Sequence, residues 1–214
     1  TFRCAEQIRN DVDYHNLPVT IVSAGSGVGY GNLGYTHHAI QDYSLIRNFP
    51  NMLIASPGDV MELRSCMDYL TNKPQPSYLR LEKSSQYQIH KKKPKIYPGK
   101  WLKVWSYEHR LKNKDIYLST GSVIEFIEKK IKEKKYKPKT LYSLPLWGMK
   151  FKKDQKKNIK KFNTINVVED HLKDGGFQSW LNECDNETKL ISKSLKKEVI
   201  NKVGSKEFLM NYLK

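Results

Sequence analysis

The sequence predicts an α/β protein of two domains, on three observations. Short β-branched runs alternate with helical patterns from residue 17 onward, the alternation breaks off between residues 83 and 114, and it resumes from Asp115 without repeating the first half. Such alternation is what a mostly parallel sheet with crossover helices requires. The expected division is a parallel-sheet domain over 1–82, truncated at its N-terminal side, a linker over 83–114, and a smaller α/β domain over 115–214.

Taken in order, Thr1-Phe2-Arg3 runs at once into a helical pattern of Ala5, Ile8 and Val12. Its sheet partners are expected upstream of Thr1, because a sheet without its first strands leaves edges and apolar faces open. Leu17 to Ala24 (LPVTIVSA) is an apolar run ending in a glycine cluster, as a buried parallel strand does. Thr36 to Arg47 carries Ala39, Ile40, Tyr43 and Ile46 at helical spacing, with Thr36 as the expected N-cap. Asn51 to Ser56 is the next strand, Asp59 the cap of a helix from Val60 to Leu70, and Pro76 to Leu81 a further strand. The segment 83–114 has a KKKPK run and no sustained period, with Tyr97, Trp101 and Trp105 expected to pin it to a surface. Beyond it come a strand at DIYLSTGS, a helix at VIEFIEKKIKEK, a strand at KTLYSLPLW and a helix at DQKKNIKKF. Then follow a strand at NTINVVEDH, a helix opened by Gly175-Gly176, a weak strand after Lys189 and a last helix at SKEFLMNYL.

Charge separates the two parts. Residues 1–80 carry six basic and seven acidic side chains, and residues 81–214 carry 32 and 15. A net charge of +16 invites a nucleic-acid reading. Only six of the 38 basic residues are arginine, however, the residue suited to bidentate phosphate and base contacts, so solvated lysine faces are expected and no nucleic-acid partner. No run approaches the about 18 apolar residues of a membrane span, and no membrane partner is expected. The three cysteines, Cys4, Cys66 and Cys184, form no CxxC pair and read as structural thiols of a cytoplasmic protein.

The glycine-rich stretch from Gly25 to Gly34 is the most informative local feature. Gly29-x-Gly31-x-x-Gly34 matches a dinucleotide fingerprint, but the loop is too long and Thr36-His37-His38 interrupts the tight strand-to-helix turn that a nicotinamide site needs. At the start of a helix, His37 and His38 would be kept neutral by the positive dipole end, which suits proton exchange with a substrate hydroxyl; local capping or packing is the alternative. Adjacent histidines with no third ligand argue against a metal site.

The block Arg3 to Leu81 resembles the second half of the pyrimidine-binding domain of transketolases, and also that domain in 1-deoxyxylulose-5-phosphate synthases and dehydrogenase β subunits. The resemblance rests on Gly31, Thr36-His37, Ile46-Arg47, Pro50-Asn51, Pro57, Asp59 and Glu62. It continues through DIYLSTGS, SLPLW and VVEDHLKDGGFQSWL, which are similar to the family's C-terminal domain. It implies an enzyme that uses thiamine diphosphate and Mg²⁺ to transfer a two-carbon ketol unit between sugar phosphates. It also implies a partner domain or subunit that holds the diphosphate and metal, with such pairs dimerising. By motif, His37 corresponds to the family's substrate-facing histidine, and Arg80 and Lys83 fall where arginines bind the sugar phosphate.

Departures accompany the match. Gly25 and Leu33 stand where many transketolases carry a histidine and an acid, and Lys83 replaces an arginine, losing bidentate geometry. The activating glutamate is expected before Thr1 and the diphosphate motif on another domain, so this chain by itself is expected to hold no cofactor and no metal and to be inactive. The alternatives are a 1-deoxyxylulose-5-phosphate synthase-like enzyme and a non-catalytic interaction module.

Overall fold

The computed structural model describes residues 1–83, 86–106 and 114–214. Ser84, Ser85 and 107–113, all within the expected linker, lie outside the described residues.

Each half contributes one sheet. A helical segment over residues 2–13, with α1 (Ala5–Gln7) inside it, precedes β1 (Thr20–Ala24). Then come α2 (Asp42–Ile46), β2 (Leu53–Ala55), α3 (Val60–Asn72) and β3 (Ser77–Leu81). The second half has β4 (Leu102–Trp105), β5 (Asp115–Ser119), α4 (Val123–Lys132), β6 (Thr140–Ser143) and β7 (Leu146–Trp147). It ends with α5 (Lys152–Ile159), β8 (Thr164–Leu172), α6 (Phe177–Asn182), β9 (Lys189–Leu195) and α7 (Lys206–Leu209). The first sheet has the order β1-β3-β2-β7 and the second β4-β6-β5-β8-β9. β1, β2 and β3 are mutually parallel, as are β6, β5, β8 and β9.

Local chemistry accounts for the helices. The Asp59 carboxylate accepts from the Glu62 backbone N–H at 2.7 Å, satisfying one of the donors that every helix start leaves open, and α3 runs from there. In α4 the buried Val123, Ile124 and Ile127 form the core face, while Lys129, Lys130 and Lys132 gather in the last turn, where the helix dipole favours cations.

Three expectations are corrected. The run KTLYSLPLW is two strands: Pro145 lacks an N–H to extend β6, and beyond it β7 crosses to the first sheet, antiparallel to β2 in the register Ile54↔Trp147 and Ala55↔Leu146. The two halves therefore share a sheet. One hydrophobic cluster accordingly joins Tyr43, Ile54 and Tyr78 to Ile116, Trp147 and Trp180. Second, residues 102–105 of the expected linker form β4, antiparallel to β6. Here Trp105 Nε1 donates to the Lys139 carbonyl at 3.0 Å and Trp101 stacks on Phe162. Third, the helix expected from Thr36 starts at Asp42. Ala39 is paired antiparallel with Gly27, its N–H donating to the Gly27 carbonyl at 2.8 Å, which holds residues 38 and 39 extended.

Candidate functional site

The glycine loop leaves β1 at the carboxyl end of three parallel strands, the face on which open α/β sheets bind ligands. The N–H groups of Gly25 and Ser26 both donate to the Leu81 carbonyl at 2.9 Å, tying the loop to the end of β3. Gly27 has φ +57°, and a Cβ there would lie 2.4 Å from Asp170 Oδ2, so the backbone conformation and a close carboxylate both require glycine. A succession of turns carries the chain from Val28 to His38, including a 3₁₀ turn over Tyr35–His37.

His37 and His38 diverge. His37 is exposed, with Thr36 Oγ1 3.0 Å from its Nδ1. His38 is buried and meets Tyr35 edge to face; burial pushes its imidazole below the ordinary value, with the Gly31 backbone opposing. Neither sits at a helix N-terminus, so the dipole argument does not apply to them.

Arg80 is committed inside the protein, surroundings that do not suit the sugar-phosphate role expected of it. It is 2% exposed. Its Nε donates to Asp42 Oδ2 and its Nη1 to Asp170 Oδ1, both at 2.7 Å. Nη1 also donates to Tyr43 Oη at 3.2 Å, and Nη2 donates to the Ala39 carbonyl at 2.7 Å. Arg80 thus fastens β3 to α2, to β8 and to the base of the glycine loop.

Lys83 is exposed at the mouth of the loop, its Nζ 4.8 Å from the centre of the Tyr30 ring. Beside it, the Glu82 carboxylate accepts from Lys206 Nζ at 2.5 Å, from Ser122 Oγ at 3.0 Å and from the Lys83 N–H at 2.9 Å. Burial alone would raise Glu82, but the Lys206 ammonium and these donors outweigh it and hold the carboxyl below its usual range. The chain near α7 also reaches the loop directly, through Gly204 N–H donating to the Gly31 carbonyl at 3.2 Å. A cleft of about 460 Å³ opens among Gly29, Lys83, Gln86 and Lys206. Tyr30, Asp170 and Lys206 escaped sequence reasoning. For Asp170 the signal was its place in VVEDH; Lys206 had none.

The family described as "Transketolase, pyrimidine binding domain" matches residues 1–88. Over those residues the chain is similar to the transketolase family. Over 97 residues it is 37% identical to one of the subunits of the apulose-4-phosphate transketolase of Actinobacillus succinogenes, covering 45% of this chain and 31% of that protein. Over 202 residues it is 29% identical to 1-deoxy-D-xylulose-5-phosphate synthase of Clostridium perfringens, covering 89% of this chain and 31% of that protein. The chain thus spans about a third of the length of these relatives. Among solved structures, a split-gene transketolase described as an inactive β4 tetramer shares the fold with a TM-score of 0.75 at 20% identity, over 98% of this chain and 66% of that one.

Transketolases and 1-deoxyxylulose-5-phosphate synthases depend on thiamine diphosphate. The described residues do not by themselves fit its diphosphate and metal end. They contain no cluster of three or more His, Cys, Asp or Glu side chains placed to hold a cation. The carboxylates nearest the glycine loop are engaged, Glu82 by Lys206 and Ser122, Asp170 by Arg80. Among the described residues no helix is long and apolar enough to cross a membrane.

Proposed function

We propose that this chain forms the substrate-facing wall of a thiamine-diphosphate-dependent, transketolase-like transferase that moves a two-carbon ketol unit between sugar phosphates. A partner domain or subunit holds the diphosphate and Mg²⁺, and such pairs dimerise in the cytoplasm. The observation that carries this reading is the exposed His37, presented by the glycine loop at the carboxyl end of β1 and β3 inside the segment that matches the pyrimidine-binding domain. In this reading the cofactor supplies the electron sink for breaking and making the carbon–carbon bond. His37 exchanges a proton with a substrate hydroxyl, and the Lys83 ammonium binds the sugar phosphate as a point charge.

A 1-deoxyxylulose-5-phosphate synthase-like reaction is the second reading. It is favoured by a match to such an enzyme over 89% of this chain, against 45% for the apulose-4-phosphate transketolase.

The test is reconstitution. The chain is purified alone and with a partner carrying the diphosphate-binding domain, and both preparations are titrated with thiamine diphosphate and assayed for the two reactions. Micromolar cofactor binding and ketol transfer are expected only in the complex. Stoichiometric cofactor binding by the chain alone, or a folded complex that binds cofactor and transfers nothing, contradicts the proposal.

A further inference from the structure

The Tyr30 ring occupies a space that only a glycine at position 25 leaves open. A Cβ on Gly25 would lie 2.1 Å from Tyr30 Cε2 and 2.2 Å from Cδ2, far inside van der Waals contact, and Gly25 has φ +91°. The ring therefore lies directly on the backbone at the end of β1, and its placement and any side chain at 25 exclude each other. Lys83 Nζ sits 4.8 Å from the centre of this ring.

The charges around Lys83 are arranged to leave its ammonium uncommitted. Glu82, its chain neighbour and the nearest carboxylate in the sequence, is taken by Lys206 Nζ and Ser122 Oγ. Among the described residues no carboxylate lies within ion-pair distance of Lys83 Nζ, although thirteen such pairs form elsewhere and several of them tie up surface lysines. What restrains this ammonium is the Tyr30 face. A cation over an aromatic ring is attracted by the ring quadrupole yet keeps its N–H donors free for an anion. It stands on the rim of the 460 Å³ cleft, next to Gly29 and Gln86.

We propose that Tyr30 is the positioning residue for Lys83: its ring, admitted by Gly25, holds the ammonium at the cleft mouth to receive the phosphate of the incoming sugar phosphate. This inference rests on the reading of Lys83 given under Proposed function. A lysine has three rotatable donors on a flexible stem, so a fixed ring beneath it restores part of the geometry that an arginine fork would supply. Tyr30 does not touch the reacting atoms in this scheme. It acts through Lys83.

The test has two readouts. The first is NMR of lysine side chains carrying ¹³C-methyl groups, with the Lys83 signal assigned by Lys83→Met. The signal is expected to be ring-current shifted in the wild type and in Tyr30→Phe, and to move to the position of a free lysine in Tyr30→Leu and in Gly25→Ala. The second is steady-state kinetics of the reconstituted complex with a phosphorylated ketose donor. Tyr30→Leu is expected to raise KM about two- to fivefold, the scale of an exposed cation–π contact, through KM rather than kcat, with Tyr30→Phe restoring it. In a Lys83→Met background Tyr30→Leu is expected to add nothing. If Lys83→Met raises KM while Tyr30→Leu leaves both the NMR shift and KM unchanged, the inference fails and the phosphate reading stands. If Lys83→Met leaves KM unchanged, the phosphate reading fails and carries the inference with it.

Discussion

Arg80 on β3 and Asp170 on β8 meet in a 2.7 Å ion pair with both side chains buried, so the first sheet is joined to the second by charge as well as by hydrophobic contact. Asp42 shares the same guanidinium through Nε at 2.7 Å. Arg80→Met leaves two buried carboxylates without a counter-ion, and is expected to cost about 3–5 kcal/mol, the scale for breaking a buried pair from one side. Denaturant unfolding of the wild type and the variant measures it. A loss below about 1 kcal/mol would mean that these groups are solvated.

Trp147 is the keystone of the shared sheet. Its ring lies 5.1 Å from the rings of Tyr43, Phe177 and Trp180, and its Nε1 donates to Thr120 Oγ1 at 3.1 Å. Trp147→Ala is expected to destabilise the chain by about 3–5 kcal/mol. Because β7 completes a sheet begun by residues 20–81, wild type and variant alike should unfold in one transition seen by probes in both halves. Two separated transitions would mean that the halves unfold as independent domains in spite of the shared sheet.

Most elements were legible because their signals are local. Asp59 three residues before Glu62 at the head of an apolar-periodic run carries its cap signal within one turn, and the β-branched core of NTINVVEDH carries its strand signal within its own length. What failed was non-local. Nothing in KTLYSLPLW says that Leu146 and Trp147 pair with Ala55 and Ile54, some ninety positions away. Ala39 has helical spacing with Tyr43 and Ile46, yet its pairing with Gly27 overrides that preference. At the site, the Thr36-His37 motif led to an exposed side chain. Arg80 read as a ligand residue because its two carboxylate partners lie 38 and 90 positions distant in the chain.

The start of α3 sets a pH dependence. Asp59 Oδ2 faces His90 Nδ1 at 3.0 Å and accepts the His90 backbone N–H, and the Glu62 carboxylate lies 3.9 Å from His90 Nε2. The bond to Asp59 raises His90 above its ordinary value, while burial pushes Glu62 up to about 7. A raised histidine contributes stability that is complete below its unfolded value of about 6.5 and is lost as pH rises through its folded value. Ionising Glu62 acts in the same direction between its ordinary carboxylate value and about 7. Stability is therefore expected to fall as pH rises from 6.5, and the margin of the wild type over His90→Gln should be largest below that pH. Unfolding curves between pH 5 and 9 test this. A margin that grows with pH contradicts it.

The most direct test of the proposed site compares His37→Ala with His38→Ala in the reconstituted complex, at equal folded concentration and with a ketose-phosphate donor. His37 is exposed on the loop, whereas His38 is buried against Tyr35. His37→Ala is expected to lower kcat by about 10²-fold or more, the usual scale of a positioned proton-transfer group, and His38→Ala to act mainly through stability. Unchanged turnover in His37→Ala, or a larger loss of turnover in folded His38→Ala, would contradict the role given to His37.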